Sequence, residues 1–90
     1  GGNSENMPTT ELSAADLDEN GAVAVADLLV KTGLAPSKAE AKRLIKQGGI
    51  SLDDQKVTAF DAVVTKDAFA QGQVILKKGK KVFHKVTLAD

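Results

Sequence analysis

Residues 34–50 read LAPSKAEAKRLIKQGGI, and this stretch carries the signals of a short helix that is bounded at both ends. Ser37 suits the N-cap, because its hydroxyl can accept a hydrogen bond from a backbone amide that the first turn leaves free. Glu40 follows three residues later and completes the pattern of a capping box. Gly48 and Gly49 come directly after the last periodic residues, where a left-handed residue often ends a helix. The stretch therefore predicts a helix between Ser37 and Gly48.

The predicted helix has one apolar side and one basic side, because residues three and four apart are neighbours on a helix. The apolar stripe consists of Ala41, Leu44, Ile45 and Gly48. The basic stripe consists of Lys38, Lys42 and Lys46, and Arg43 widens it. Like charges four residues apart destabilise an isolated helix by about 0.2–0.5 kcal/mol per pair. A solvated surface face is one interpretation, but a cluster of a single sign favours the binding of a polyanion.

The net charge of zero hides a division of the chain into an acidic and a basic part. Residues 1–30 contain six acids and no Lys or Arg, which gives them a net charge of −6. Residues 31–90 contain all 12 basic residues and the other six acids, which gives a net charge of +6. Because the field at a surface depends on where the charges lie, the neutral total does not exclude a nucleic-acid partner.

A chain of 90 residues has the length of one domain. Residues 1–20 are rich in small polar and acidic residues, so we expect a flexible acidic linker or lead-in there and a folded domain over residues 21–90. The lack of Cys excludes disulfides and fits a cytoplasmic location. No apolar run approaches the ~18–20 residues of a membrane helix, so we expect no membrane contact. The start at Gly1-Gly2 without Met leads us to expect a piece of a longer protein.

A second helix is predicted before the basic one. Apolar residues recur at helical spacing over residues 22–32, and Gly33 follows as the expected C-terminal residue. Only residues 33–36 separate this helix from Ser37, which is too short for anything but a tight corner. The two helices are therefore expected to form a pair that resembles a helix-turn-helix.

The remaining periodic segments predict strands. Ile50–Leu52 alternates as a strand does, and Lys56-Val57 is its expected hairpin partner. Val74–Leu76 and Val82–Val86 are β-rich runs on either side of a Lys-Gly turn. The expected fold class is α+β, with two short helices in a helix-turn-helix-like pair packed on a small, mostly antiparallel sheet.

The Lys-Gly turn contains a second group of basic residues, Lys77, Lys78, Lys80 and Lys81. Lysines at a hairpin tip can protect a sheet edge against aggregation. They can equally contact phosphates. Two basic clusters in one small domain favour the second interpretation.

The aromatic content indicates how a nucleic acid would be recognised. The chain has three Phe and no Tyr or Trp, and we expect Phe60, Phe69 and Phe83 to lie in the core. Modules that stack unpaired bases need exposed aromatic side chains. Recognition by shape and phosphates is therefore expected, which favours structured RNA. Duplex DNA stays open, although the basic helix has no Asn or Gln in its first turn.

Residues 22–57 resemble the RNA-binding domain named after ribosomal small-subunit protein four. That family has a helix, a tight turn, a basic helix that begins near a Ser, and a Gly before a short strand. The matching elements here are residues 25–29, 33–37, 38–46 and 49–50. The segments Leu29–Lys38 and Lys78–Lys81 narrow the resemblance to the C-terminal domain of bacterial-type tyrosyl-tRNA synthetases. Residues 1–20 resemble the linker that leads to this domain.

The resemblance implies an RNA-binding domain over residues 21–90 that holds the tRNA for tyrosine by its anticodon stem and long variable arm. The residues that match the RNA-facing positions of the family are Ser37, Lys38, Lys42, Arg43, Lys46, Lys80 and Lys81. Lys77 and Lys78 are added as candidates because of their charge. The implied parent is a homodimeric, ATP-dependent tyrosine–tRNA ligase, whereas the 90-residue chain is expected to be monomeric.

Other functions stay open at this point. One is a helix-turn-helix-like DNA-binding module, and another is the RNA-binding domain of a different RNA-processing or ribosome-associated protein. A third is a protein-interaction domain that uses the acidic lead-in. Asp53-Asp54 stands where the family usually has an Asn-Gly type turn, and two carboxylates there would repel phosphate.

Motifs for catalysis are missing from the sequence. Class I synthetases carry His-Ile-Gly-His and Lys-Met-Ser-Lys-Ser motifs, and neither occurs here. His84 is the only histidine, and a structural role is expected for it. A Gly-rich phosphate loop followed by Lys and Ser or Thr is also missing. We therefore expect no catalytic residue, metal or cofactor in this chain, with ATP and tyrosine implied only for the parent enzyme.

Overall fold

The computed structural model describes residues 7–89. Two helices are present in that range, α1 (Val25–Lys31) and α2 (Lys38–Lys46). The strands are β1 (Thr9–Leu12), β2 (Ala22–Ala24), β3 (Ile50–Leu52), β4 (Gln55–Lys56), β5 (Val63–Thr65), β6 (Gln73–Lys78) and β7 (Val82–Leu88). Short 3₁₀ turns lie at Ala14–Asp16 and Lys66–Phe69. No helix within the described range is long and apolar enough to cross a membrane.

The strands form two sheets. The larger sheet has the order β1-β7-β6-β3-β4, in which only the β1–β7 pair is parallel. The smaller sheet pairs β2 with β5 in antiparallel fashion. Two helices with a mostly antiparallel main sheet confirm the predicted α+β fold class.

The core lies between the helix pair and one face of the main sheet. Leu28 and Leu29 of α1 and Ala41 and Ile45 of α2 are fully buried. The sheet contributes the buried side chains of Leu12, Ile50, Val74, Leu76 and Val86. The apolar stripe that predicted α2 is thus the side that packs on the core, with Leu44 half-buried at its margin.

The beginning of the folded region differs from the prediction. Thr9–Leu12 pairs with Lys85–Leu88, and Leu12 is fully buried. The folded region therefore begins no later than Thr9 rather than at residue 21. The strand was missed because four mostly polar residues give little periodicity, and a parallel partner lies far away in the chain. The expected flexible lead-in also includes residues 1–6, and these lie outside the described residues.

The start of the first helix also differs from the prediction. Ala22–Ala24, expected to begin the first helix, is a strand paired with Val63–Thr65. Ala24 occupies the N-cap with no side-chain hydrogen bond, and the Val25 amide instead donates to the Ala62 carbonyl over 3.0 Å. The pairing with distant residues 63–65 overrides the local helical pattern.

Candidate nucleic-acid interface

Helix α2 has the ends that its sequence predicts. The Ser37 hydroxyl accepts a hydrogen bond from the Glu40 amide over 3.3 Å. At the other end the Gly49 amide donates to Leu44 and the Gly48 amide donates to Ile45, each over 3.0 Å, which is a Schellman motif. Gly48 has a φ of +76°, a conformation that residues with a Cβ rarely adopt. The basic side chains of α2 are thus held on a helix with fixed ends.

Two of the basic side chains on α2 are paired with carboxylates. Lys38 Nζ lies 2.9 Å from Asp27 Oδ1 of α1, and Arg43 Nη1 lies 2.9 Å from Glu40 Oε1. The Glu40 carboxylate therefore binds Arg43 instead of completing the predicted capping box with the Ser37 amide. Asp27 belongs to the acidic first third of the chain, so that part lowers the positive potential at the start of α2.

Lys42 and Lys46 lie one turn apart on the exposed side of α2. Within residues 7–89, neither ammonium group is within ion-pair distance of a carboxylate. Both lie over the ring of Phe60, with Nζ at 5.9 Å from the ring centroid for Lys42 and 5.5 Å for Lys46. These two charges are therefore available to an anionic partner.

The three Phe side chains have different environments. Phe69 is buried as predicted, and Phe83 is half-buried. Phe60 is 47% exposed, so the prediction that it belongs to the core is wrong. The 57–62 segment has no strand or helix, and it passes beside α2 with Phe60 against the two lysines.

The second basic cluster is divided between a strand and a turn. Lys77 and Lys78 are the last residues of β6, and the exposed turn contains Gly79, Lys80 and Lys81. Lys78 Nζ donates to the Leu34 carbonyl in the connection between the helices over 3.0 Å. The Gly79 amide donates to the Gly49 carbonyl over 2.8 Å. The turn that carries Lys80 and Lys81 is therefore fixed to the C-terminal end of α2.

Lys77 lies on the other face of the main sheet. Successive strand residues point to opposite faces, and Lys77 pairs with Phe83 and Ser51 rather than with core residues. Its Nζ lies 5.6 Å from the Phe83 ring centroid, in an open cavity of about 690 Å³. Asp53, Asp54 and Asp67 also line this cavity. The structure thus separates Lys77 from the other eight candidates, which the prediction had grouped together.

Lys56 is a further basic residue close to α2, although the sequence did not indicate it. It lies on β4 opposite Ser51, and its side chain passes over Gly48, 3.5 Å from where a Cβ would be. Lys56 therefore adds a positive charge beside Gly48, at the C-terminal end of α2. In the sequence it is a lone Lys beyond the Asp53-Asp54 turn, and only the hairpin register brings it to the helix.

The side chains of the described residues that could bind a metal ion are carboxylates and one histidine. No group of three or more His, Asp or Glu within residues 7–89 could hold a metal ion. His84 is buried in β7, where its Nε2 lies 2.7 Å from the Thr10 hydroxyl. Burial lowers the pKa of His84 below its usual value, which keeps the ring neutral. A neutral histidine bound to a neighbouring strand matches the structural role expected for it.

Known proteins support one family. The sequence model of the tyrosine–tRNA ligase SYY-like C-terminal domain matches residues 2–86. The tyrosine–tRNA ligase of Acetivibrio thermocellus is 52% identical over 88 residues, and that of Clostridium tetani is 40% identical over 83 residues. These matches cover 98% and 92% of the chain but 21% and 19% of the relatives, so the chain spans about a fifth of their length.

A solved structure gives the same result. The solution structure of a tyrosyl-tRNA synthetase C-terminal domain superposes with a TM-score of 0.68 at 26% identity. The superposition covers 94% of this chain and 81% of that one. Sequence and fold agree, and the chain belongs to the family of tyrosine–tRNA ligase SYY-like C-terminal domains.

Proposed function

We propose that this domain binds the tRNA for tyrosine within a tyrosine–tRNA ligase, through phosphates of the anticodon stem and the long variable arm. The observation that carries the proposal is the hydrogen bond between Gly79 and Gly49, which fixes the β6–β7 turn to the end of α2. This contact joins two basic segments that lie about thirty residues apart in the sequence. A surface of this kind matches the electrostatic footprint of a nucleic-acid partner.

The proposed phosphate-binding surface comprises Lys38, Lys42, Arg43, Lys46, Lys56, Lys80 and Lys81. Lys42 and Lys46 are its centre, because their charges are exposed and are not paired within residues 7–89. To bind a phosphate, Lys38 and Arg43 must first break their ion pairs with carboxylates. The free energy needed is small, because both ion pairs are exposed. Lys78 has a supporting role, since it holds the turn against the Leu34 carbonyl.

Structured RNA is favoured over duplex DNA by the way α2 is seated. A recognition helix presents the side chains of its first turns to base edges in the major groove. In this domain the first turn of α2 carries Lys38, bound to Asp27, and Glu40, bound to Arg43. The charges of Lys42 and Lys46 lie further along, towards the glycines and the β6–β7 turn. This arrangement suits contacts to phosphates across a folded RNA.

The ligase reaction itself needs ATP and tyrosine, and the acidic lining of the cavity beside Lys77 does not suit a triphosphate. The cavity beside Lys77 and Phe83 is lined by Asp53, Asp54 and Asp67, which would repel a triphosphate. We therefore propose that this domain contributes binding and orientation of the tRNA, with no chemical step of its own.

A competition experiment tests the proposal. Fluorescence anisotropy would measure the affinity of the 90-residue chain for each of three labelled ligands. These are the tRNA for tyrosine, a tRNA with a short variable arm, and a DNA duplex. We expect the tRNA for tyrosine to bind most tightly and its binding constant to fall steeply with salt. Equal or tighter binding of the DNA duplex would reject the proposal in favour of a DNA-binding module.

A further inference from the structure

We infer that Phe60 stacks on an unpaired nucleobase of the bound RNA while Lys42 and Lys46 bind the phosphates beside it, an assignment that rests on the proposed function. A Phe that is 47% exposed on a domain of this size needs an explanation, because burial of that ring would stabilise the fold. Its place beside the two exposed lysines of α2 supplies one.

The geometry combines the two parts of a single-strand binding site. Such sites have positive side chains that follow the backbone and aromatic side chains on which bases stack. Here the ammonium groups of Lys42 and Lys46 lie 5.9 Å and 5.5 Å from the centroid of the Phe60 ring. Both distances are near the outer limit of about 6 Å for a cation–π contact, so the contacts are weak. Flexible lysine side chains can move to phosphates and leave the ring to a base.

The surroundings of Phe60 leave room for such a ligand. The chain on either side of Phe60 lines an open groove of about 270 Å³, formed by Lys56, Val57, Ala59 and Ala62 among others. Its walls are mostly apolar, and Lys56 places a further positive charge at its edge. Val63, three residues after Phe60 in the chain, is 55% exposed. A mostly apolar groove with Lys56 at its edge suits a base and its sugar-phosphate backbone.

A different occupant, the surface of another protein domain, is the main competitor. Charge complementarity favours RNA, because Lys42 and Lys46 lie over the ring and Lys56 lines the groove next to this segment. Asp61 is the one carboxylate beside Phe60 in the chain, and its side chain forms no ion pair within residues 7–89. Asp61 would repel a phosphate, which makes its neutralisation a useful control.

The chain contains a matched control for Phe60. Phe83 is also a Phe with a lysine over its ring, since Lys77 Nζ lies 5.6 Å from its centroid. It lies on the opposite face of the sheet, beside the carboxylates of the cavity that Lys77 lines. Substitution of each Phe by Leu removes the aromatic face and keeps an apolar side chain. We expect Phe60→Leu to weaken binding of the tRNA for tyrosine about tenfold, and Phe83→Leu to leave it unchanged.

Fluorescence gives a second measurement that reports stacking directly. The chain has no Trp or Tyr, so Phe60→Trp creates a protein with a single tryptophan. We expect tRNA to quench this tryptophan and a blunt RNA duplex without unpaired bases to leave it unquenched, while the tryptophan of Phe83→Trp responds to neither. We also expect Asp61→Asn to tighten tRNA binding.

The outcomes separate this inference from the proposed function. If wild-type protein binds tRNA but Phe60→Leu binds equally well and the tryptophan of Phe60→Trp is not quenched, the stacking role is rejected and tRNA binding stands. Quenching by the blunt duplex as strong as that by tRNA would also reject an unpaired base. If wild-type protein does not bind tRNA at all, the proposed function fails first. Because Phe60 is exposed, urea unfolding should show all Phe60 variants to be as stable as wild type.

Discussion

The backbone amide of Gly79 donates a hydrogen bond to the carbonyl of Gly49 over 2.8 Å, and this bond joins the β6–β7 turn to the end of α2. The neighbouring ladder pair, Ile50 with Lys78, continues the connection into the main sheet. Gly49 is the last residue of the Schellman motif that ends α2, so the end of the helix fixes the position of the turn. The basic side chains of α2 and those of the β6–β7 turn are thus held next to each other on one surface.

The first prediction concerns the lysines of that turn. Replacing Lys80 and Lys81 together by Ala should weaken tRNA binding and lower the salt slope by about two, because each removes one phosphate contact. Both side chains are exposed, so the free energy of unfolding should stay within about 0.5 kcal/mol of wild type. Binding constants measured over a series of salt concentrations provide the check.

Lys77→Ala is the matched control for this double variant. Lys77 is only three residues from Lys80, but it lies on the opposite face beside Phe83 and Asp53. We expect it to leave both affinity and salt slope unchanged. A loss with Lys77→Ala equal to that per lysine in the turn would contradict the division between the two faces.

The second prediction compares Lys42 with Arg43 on α2. Lys42→Ala should reduce tRNA affinity and lower the salt slope by about one. Arg43→Ala should have the smaller effect on affinity, because Arg43 must first leave Glu40, which lies 2.9 Å away. The Arg43–Glu40 pair is exposed and contributes about 0.3–0.5 kcal/mol to stability, so both variants should fold. Equal affinity and slope for wild type and Lys42→Ala would reject α2 as a phosphate-binding element.

The sequence predicted α2 well because its signals are local. The Ser37 cap, the glycines at the end and the apolar stripe all lie within one stretch, and the structure contains each of them. The resemblance to the family depended on residues 22–57 and on Lys78–Lys81, and the α+β class on the two helical patterns and the β-rich runs after them. Local signals of this kind do not depend on how distant parts of the chain meet.

The features that the sequence did not predict depend on distant pairing. Leu12 is in the core only because β1 pairs with β7 at the other end of the chain. Lys56 contacts Gly48 because the register of β3 with β4 brings it there. Lys77 lies on the opposite face of the sheet from Lys78 because side chains alternate along β6. Phe60 was assigned to the core because Phe is usually buried. Its exposure follows from the path of residues 57–62, for which the sequence has no periodic pattern.

The third prediction concerns the pH dependence of stability. Burial lowers the pKa of His84 in the folded state below the 6.5 of an unperturbed histidine. The unfolded state therefore binds a proton more readily, and the free energy of unfolding should decrease as the pH falls through 6.5. Above pH 6.5 the full contribution of the neutral ring should be present. Urea unfolding at pH 8 and pH 5.5 measures the difference.

His84→Gln tests the assignment of this pH dependence. His84 is the only histidine, and a Gln can still bind the Thr10 hydroxyl, so the variant should lose most of the difference between pH 8 and pH 5.5. Asp16 does not contribute to the difference in stability between pH 8 and pH 5.5. The Lys31 ammonium, at 2.6 Å, holds the pKa of Asp16 below 3.8, so its contribution is lost only at lower pH. An unchanged pH dependence in the variant would exclude His84 as its source.

The last prediction concerns the turn between β3 and β4. Asp53 and Asp54 have φ values of +50° and +70°, the left-handed combination of a type I′ hairpin turn, for which Asn-Gly is the preferred sequence. Asp54→Gly removes a Cβ from a strained position, and no hydrogen bond to the Asp54 side chain is found within residues 7–89. We expect this variant to raise the free energy of unfolding by up to about 1 kcal/mol.

Asp53→Gly should have the opposite effect, although its φ is also positive. The Asp53 carboxylate accepts a hydrogen bond from the Ile75 amide over 2.9 Å, and the Asp53 amide donates to the Ile75 carbonyl over 2.9 Å. Loss of this side-chain hydrogen bond, which is exposed, should cost about 0.5–1.5 kcal/mol. Urea unfolding of the two variants measures both signs. Destabilisation by Asp54→Gly of the same size as by Asp53→Gly would show that the carboxylates, not the backbone conformation, determine the stability of this turn.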